Sequence, residues 1–324
     1  MNSISRRAAL AVALAAAMST TAWADTWPSK PIRLIVPFPA GGGTDIIARE
    51  LAHQITLSTH WNFIVDNRAG SGGNIGIDQA AKSAPDGYTF VIGQTSNLAI
   101  NPTLYSKLPY DPVKDLAPVA LVGSSPLALV AAAGSPFKTL SDVVKQAKAA
   151  PGSINFATSG SGTVSHLATE LFQKEAGIKL THIPYKGASQ GAMDVIGGSV
   201  QLYISSVPTL IGHIRSGKLR ALAVTSGKRV ADLPEVPTIA ESGYKGFEAV
   251  TWFGILAPAQ VPVDVIAKLN AEIRKAVQSP ELQKKMHDQG VDLASGTPGQ
   301  FGELIKSDIV RWGKVVKDSG AKVD

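Results

Sequence analysis

A chain of 324 residues is longer than one hydrophobic core usually supports, so two lobes are expected. Its 31 basic and 25 acidic residues give a formal +6, scattered along the chain and not clustered among aromatics, which argues against a nucleic-acid groove. With no cysteine, disulfides, thiolate nucleophiles and thiolate metal sites are excluded.

Residues 1–24 have the pattern of a sorting signal. Arg6 and Arg7 supply a positive start, Ala8 to Met18 a short apolar stretch, and Ala22-Trp23-Ala24 small residues around a cut before Asp25. Ser5-Arg6-Arg7 also permits a twin-arginine signal, but Ala9 stands where that pattern prefers a bulky residue, so ordinary secretion is expected. Removal takes two basic residues and no acidic one, leaving 29 against 25, or +4. No later run reaches 18 uninterrupted apolar residues; the nearest, Val119 to Gly134, is broken by Gly123, Ser124, Ser125 and Pro126.

From Ile32 onward, short β-branched runs alternate with stretches of helical period, which predicts βαβ units with helices on both faces of parallel sheets. Strands are expected at Ile32 to Val36, Phe63 to Val65, Thr89 to Ile92, Leu127 to Ala131, Ile154 to Ala157, Leu180 to Ile183, Leu202 to Ile204 and Leu219 to Val224. Ile47, Leu51 and Ile55 form the apolar stripe of the first helix. Helices at Val263 to Gln278, Glu281 to Gln289 and about Pro298 to Asp318 close the chain and should return to the first lobe. Val119 to Pro126 makes one crossing between lobes, with Gly-Ser-Ser-Pro as its hinge, and Thr251 to Ala257 makes the second. Two crossings define an α/β clamshell that closes about a ligand. The lobes are placed at 25–124 plus 248–324 and at 125–247.

Two loops carry the binding chemistry. Pro37 to Asp45, PFPAGGGTD, follows the first strand and opens a helix, so glycine backbone and unpaired N–H groups share one space. It lacks the ending of a phosphate loop and the spacing of a dinucleotide fingerprint. An anion site and a tight turn with Thr44 as N-cap are both open readings. Ala157 to His166, ATSGSGTVSH, repeats the arrangement in the second lobe, and Ser159, Ser161 and Thr163 add hydroxyls. Hydrogen bonds to a carboxylate contribute about 1.5–3 kcal/mol each and a helix dipole about 0.3–1. A handful therefore reaches micromolar affinity, near about −8 kcal/mol, without an arginine clamp.

Other residues have two readings. His166 either donates to an anion or packs on its helix, and packing is favoured. Asp45 is either a general base or an acid that suits a first helical turn, and the second is favoured. Ser96 and Asn97 either contact ligand or cap a helix. Asn67 to Asn74 turns the chain or rims the cleft. Lys186, beside Tyr185 and Gly187, could offer charge, although exposed lysines are common. Asp194 faces solvent or the hinge. The serines of the second loop do not fall in a Gly-x-Ser-x-Gly elbow and no histidines have His-x-x-x-His spacing, so neither a catalytic residue, a metal site nor a cofactor is expected.

Several segments in order resemble one family, the Bug-type periplasmic receptors of tripartite tricarboxylate transporters: WPSKPIRLIVPFPAGGGTDIIAR (27–49), NRAGSGGNIG (67–76), PDGYTFVIG (85–93), YDPVKDLAPVALV (110–122), PYKGASQGAMDVIGGSVQ (184–201) and LPEVPTIAESG (233–243). The resemblance implies a two-lobed, type II-like periplasmic binding protein fold. It implies a monomeric receptor that binds a mono-, di- or tricarboxylate, an aromatic acid or an amino acid without chemistry and passes it to a membrane permease. The ligand residues it implies are Phe38, Ala40, Gly41, Gly42, Gly43 and Asp45, then Ser159, Gly160, Ser161, Gly162 and Thr163. Further candidates are Ser96, Asn97, His166, Tyr185, Gly187, Asp194 and Ser205. Competing readings are a secreted hydrolase using Ser159 or Ser161 with His166, and a ligand-sensing partner of a membrane kinase.

Overall fold

In this computed structural model residues 27–321 and 323 are described, so the sorting signal expected at 1–24 lies outside the described residues. Ten strands follow in chain order: β1 Ile32–Val36, β2 Phe63–Asn67, β3 Thr89–Gln94, β4 Leu116–Ala132, β5 Asn155–Thr158, β6 Thr181–Pro184, β7 Leu202–Ser206, β8 Leu219–Val224, β9 Val250–Pro258 and β10 Asp292–Leu293. Eight of them run in the order β2-β1-β3-β9-β4-β7-β5-β6, and β8 and β10 pair with β4. β1 is parallel to β2 and β3, and β5 is parallel to β6 and β7. These are the two parallel halves predicted from the alternating pattern. Ile32, Leu34, Ile35 and Val36 are all buried, as expected of a strand covered on both faces.

The link between the halves differs from the expected hinge followed by a new strand at Leu127. β4 is one strand of 17 residues. Its first part pairs with β9 from Leu116↔Pro258 to Pro126↔Val250, and its second part, Leu127 to Ala132, pairs with β7 and β8. The Gly-Ser-Ser-Pro run stays extended for local reasons. A Cβ on Gly123 would lie 2.6 Å from the Asp292 carbonyl, so glycine admits the backbone of β10. Ser125, fully buried, donates its hydroxyl to the Gly290 carbonyl. Pro126 falls where pairing with β9 ends, so its missing N–H disturbs little of the ladder. The second crossing, β9, therefore lies beside the first as its antiparallel neighbour.

The carboxy-terminal helices pack on this shared strand pair. Phe301 fills the space above Gly254, where a Cβ would sit 2.2 Å from its ring, and meets Trp252 edge to face at 5.6 Å. Trp252 Nε1 donates to the buried carboxylate of Asp308 at 2.6 Å. Asn270 Nδ2 donates to the Val119 carbonyl at 2.8 Å. No helix among the described residues is long and apolar enough to cross a membrane.

Candidate functional site

Three strand-to-helix turns converge where the lobes meet. The first helix, α1 (Gly43–Thr59), is capped by Gly42, whose backbone is extended and offers no side chain. The Thr44 hydroxyl donates to Gln94 Oε1 instead, so Thr44 is not the N-cap considered from the sequence. The Gly43 N–H donates to Thr209 Oγ1 of the opposite lobe at 3.1 Å. In the second lobe the helix Val164–Ala176 begins after Thr163, which caps it, and the Val164 N–H donates to Ser96 Oγ of the first lobe at 3.1 Å. Each lobe therefore points a helix-opening amide at an oxygen across the cleft.

A partly open chamber of about 40 Å3 lies there, enough for on the order of three waters or one carboxylate-sized group. Of the residues expected to bind ligand, Phe38, Gly42, Gly43, Ser96, Ser159, Thr163 and Ser205 line it. Gln94, Ser206, Thr209 and Thr251 also line it and were missed. Ser206 and Thr209 had a legible signal: a strand ending in Ser205-Ser206, followed by Pro208 in the first helical turn, is a third loop of the same kind. Asn101 was missed as well. It is fully buried, and once its amide is turned so that the nitrogen faces acceptors it donates to the Gly162 and Ser96 carbonyls at 3.2 Å each, joining both lobes.

Several candidates support the loops and do not line the chamber. Asp45 accepts from the Gly41 N–H, from Arg49 Nε and from Asn67 Nδ2, while Asn67 also donates to the Phe38 carbonyl. Burial pushes the Asp45 carboxyl up, but bonds from Arg49, Gly41 and Asn67 outweigh it and hold it below the ordinary carboxylate range. It is a brace for the Phe38–Gly41 backbone, with both carboxylate oxygens already engaged by donors of its own lobe. Asp45→Asn should cost about 1–3 kcal/mol in urea unfolding at pH 7, because Arg49 loses its charged acceptor; unchanged stability would rule out the brace. Ala40 and Gly41 are exposed.

In the second loop Ser159 Oγ lies 3.2 Å from Ser165 Oγ, and Thr163 Oγ1 donates to the Gly160 carbonyl. His166 Nδ1 accepts from the Gly162 N–H, and its ring stacks on His182 at 4.2 Å. Packing, the favoured reading, is what the geometry displays. Burial lowers the His166 pKa to about 4, so its 3.7 Å approach to Glu170 is a contact from a neutral ring and not an ion pair at pH 7. Neither ring nitrogen faces Ser159 or Ser161, which removes the base that a hydrolase would need. Asn97 uses Oδ1 to accept from the Gln94 N–H. Tyr185 donates its hydroxyl to Asp194, so each occupies the other, and Gly187 packs on Pro39 of the first lobe. Gly160 and Ser161 line a neighbouring cavity. No cluster of three or more metal-binding side chains occurs among the described residues.

Comparison with known proteins agrees with this arrangement. The family model described as "Tripartite tricarboxylate transporter family receptor" (TctC) matches residues 47–321. Protein BugT of Bordetella pertussis is 43% identical over 301 residues, covering 93% of this chain and 92% of the relative. The solved structure "R. palustris Rpa4515 with adipate" superposes with a TM-score of 0.89 at 34% identity, covering 92% of this chain and all of that one. The periplasmic binding protein BugD gives 0.87 at 33%, covering 91% and 99%. These relatives are solute-binding receptors and not enzymes. With its crossed lobes and paired Gly loops, the chain belongs to the TctC family of tripartite tricarboxylate transporter receptors, among the Bug-type periplasmic solute-binding proteins.

Proposed function

We propose that this receptor captures a small carboxylate between its lobes and hands it to the membrane permease of a tripartite tricarboxylate transporter. In this reading residues 1–24 direct export to the periplasm and the protein works as a monomer. Its lobes are 25–124 plus 248–324 and 125–247. The observation that carries the proposal is the reciprocal pair of amide bonds, Gly43 N–H to Thr209 and Val164 N–H to Ser96. Both amides already point at an acceptor in the cleft, and a carboxylate is a stronger acceptor than a hydroxyl. The entering acid takes over those donors, and the displaced hydroxyls turn to donate to it. The adipate held by the solved relative supports an acid as cargo.

Thermal shift with di- and tricarboxylates, aromatic acids and acidic amino acids tests the reading. An acid at 100 times its dissociation constant should stabilise the protein by about 2.7 kcal/mol, a rise of several degrees in Tm. If no acid shifts the melting of protein refolded free of carried-over ligand, carboxylate capture is refuted.

A further inference from the structure

The crossing strands β4 and β9 have a cavity on each face. Leu127 and Thr251 line the chamber, whereas their chain neighbours Pro126 and Val250, paired in register, line a second, partly open cavity of about 520 Å3. Successive residues of a strand point to opposite faces, so this second cavity lies on the far side of the hinge from the chamber. One of its walls is the segment 226–232 of the second lobe, and the other is Glu248, His287 and Asp292 of the first. Each wall is tied to its own lobe. Ser226 donates its hydroxyl to the Lys228 carbonyl, Arg229 pairs with Glu241 and Asp232 with Arg215, while Arg311 donates to the Glu248 carbonyl. On the chamber side the opposite holds, since Gly43 is bonded to Thr209 and Val164 to Ser96 across the cleft. The lobes are thus in contact on one face of the hinge and apart on the other, which is the closed position of a clamshell. A rotation about these strands that opens the cleft must bring the two far walls together.

We infer that the far cavity is a conformational control built into the hinge: its free volume is what lets the lobes open, so that bulk placed in it shifts the resting protein toward the closed, acid-binding form. The inference rests on the carboxylate-capture reading above for one of its readouts. Gly227 is the position from which the cavity can be filled. A Cβ there would face Glu248 across the gap, 3.5 Å from Oε2, an ordinary contact, and Gly227 is not among the glycines of positive φ. A larger side chain therefore enters the cavity without straining the backbone. The free energy of closing is otherwise supplied by the bound acid, and apparent affinity rises with the fraction of protein already closed.

Titration calorimetry with adipate as the probe acid, and small-angle scattering without ligand, test it on the mature chain. Gly227→Trp should tighten adipate binding by at least about threefold. It should also move the radius of gyration of the unliganded protein toward that of the unmodified protein with acid. His287→Trp, at the exposed end of the helix Pro280–His287 in the opposite wall, should act in the same direction. Gly134→Trp, where a Cβ meets nothing within 4 Å, should do neither. Circular dichroism reads whether each variant is folded. Folded Gly227→Trp and His287→Trp proteins that bind adipate no tighter and scatter like the unmodified protein, or that expand, would overturn the inference while leaving carboxylate capture standing. If no acid of the thermal-shift series binds the unmodified protein, capture is refuted and the scattering of the unliganded variants alone decides the hinge.

Discussion

Replacing Gly187 with alanine is expected to weaken acid binding between about fivefold and 150-fold without altering the secondary structure of the unliganded protein. A Cβ at this position would sit 2.4 Å from Pro39 Cγ and 2.9 Å from Cδ. The proline ring is tied to its own backbone and cannot swing aside. Gly187 itself is extended, with φ 160°, a conformation that alanine adopts freely. The second lobe therefore accepts the methyl group, and the clash arises only when the first lobe closes on it. Overpacking of this kind costs about 1–3 kcal/mol, and about 1.4 kcal/mol is tenfold in affinity. Gly212→Ala is the control, since a Cβ there meets nothing within 4 Å. Calorimetry reads the affinity, and small-angle scattering reads compaction on adding ligand. A Gly187→Ala protein that binds and compacts like the unmodified one would show that this contact does not govern closure.

The same physics explains two glycines that the family resemblance assigns to the ligand, Gly43 and Gly162, and a third, Gly290, that it does not. Gly43 faces Ser206 Oγ, where a Cβ would lie at 2.6 Å, and Gly162 faces Asn101 and Leu104, both at 2.9 Å. Gly290 meets Val207 in the same way at 2.4 Å. All these contacts join opposite lobes. Glycine at the cleft therefore has a second task besides exposing amides, which is to let two folded surfaces approach each other at backbone distance.

The alternation of strand and helix was legible because both periods depend on local burial, and β1, β8 and the helix Val263–Gln278 have the predicted ends. The fusion of Leu116–Pro126 with Leu127–Ala132 into β4 was not legible. Glycine, serine and proline read locally as a break, whereas their extended state is held by Asp292, Gly290 and β9 from distant parts of the chain. The two Gly loops were found because orphan amides after a strand have a local signature. Their acceptors, Thr209 and Ser96, are 166 and 68 residues away, so the pairing becomes visible only in the fold. Asp45 and His166 show the same limit, since a first-turn acid and a loop histidine look alike whether they face a ligand or brace the loop.

Stability should fall as pH drops from about 6.5 toward 4, through the stacked pair His166 and His182. Burial lowers the His166 pKa to about 4, and burial with repulsion from His166 lowers that of His182 to about 3. Their unfolded values lie near about 6.5, so in this window the unfolded chain binds protons that the native chain refuses. The contribution is complete above about pH 6.5 and is lost as pH falls toward the folded values, by about 3 kcal/mol for His166 alone at about 1.36 kcal/mol per unit. Glu170, pushed up by burial, works in the opposite sense and offsets part of the loss. Protonation also reaches the binding loop, because His166 Nδ1 accepts the Gly162 N–H and His182 Nε2 lies 2.7 Å from Thr158 Oγ1. A protonated Nδ1 becomes a donor facing a donor, so the loop should loosen and release its acid before the fold is lost. Urea unfolding at pH 7, 5.5 and 4.5 reads the effect. The double variant His166→Asn and His182→Gln keeps an oxygen or amide near each ring nitrogen but cannot titrate, so it should lose the fall in stability toward acid and keep only the opposing slope from Glu170. An undiminished pH slope in the variant would mean that the histidine stack is not what couples this fold to acid.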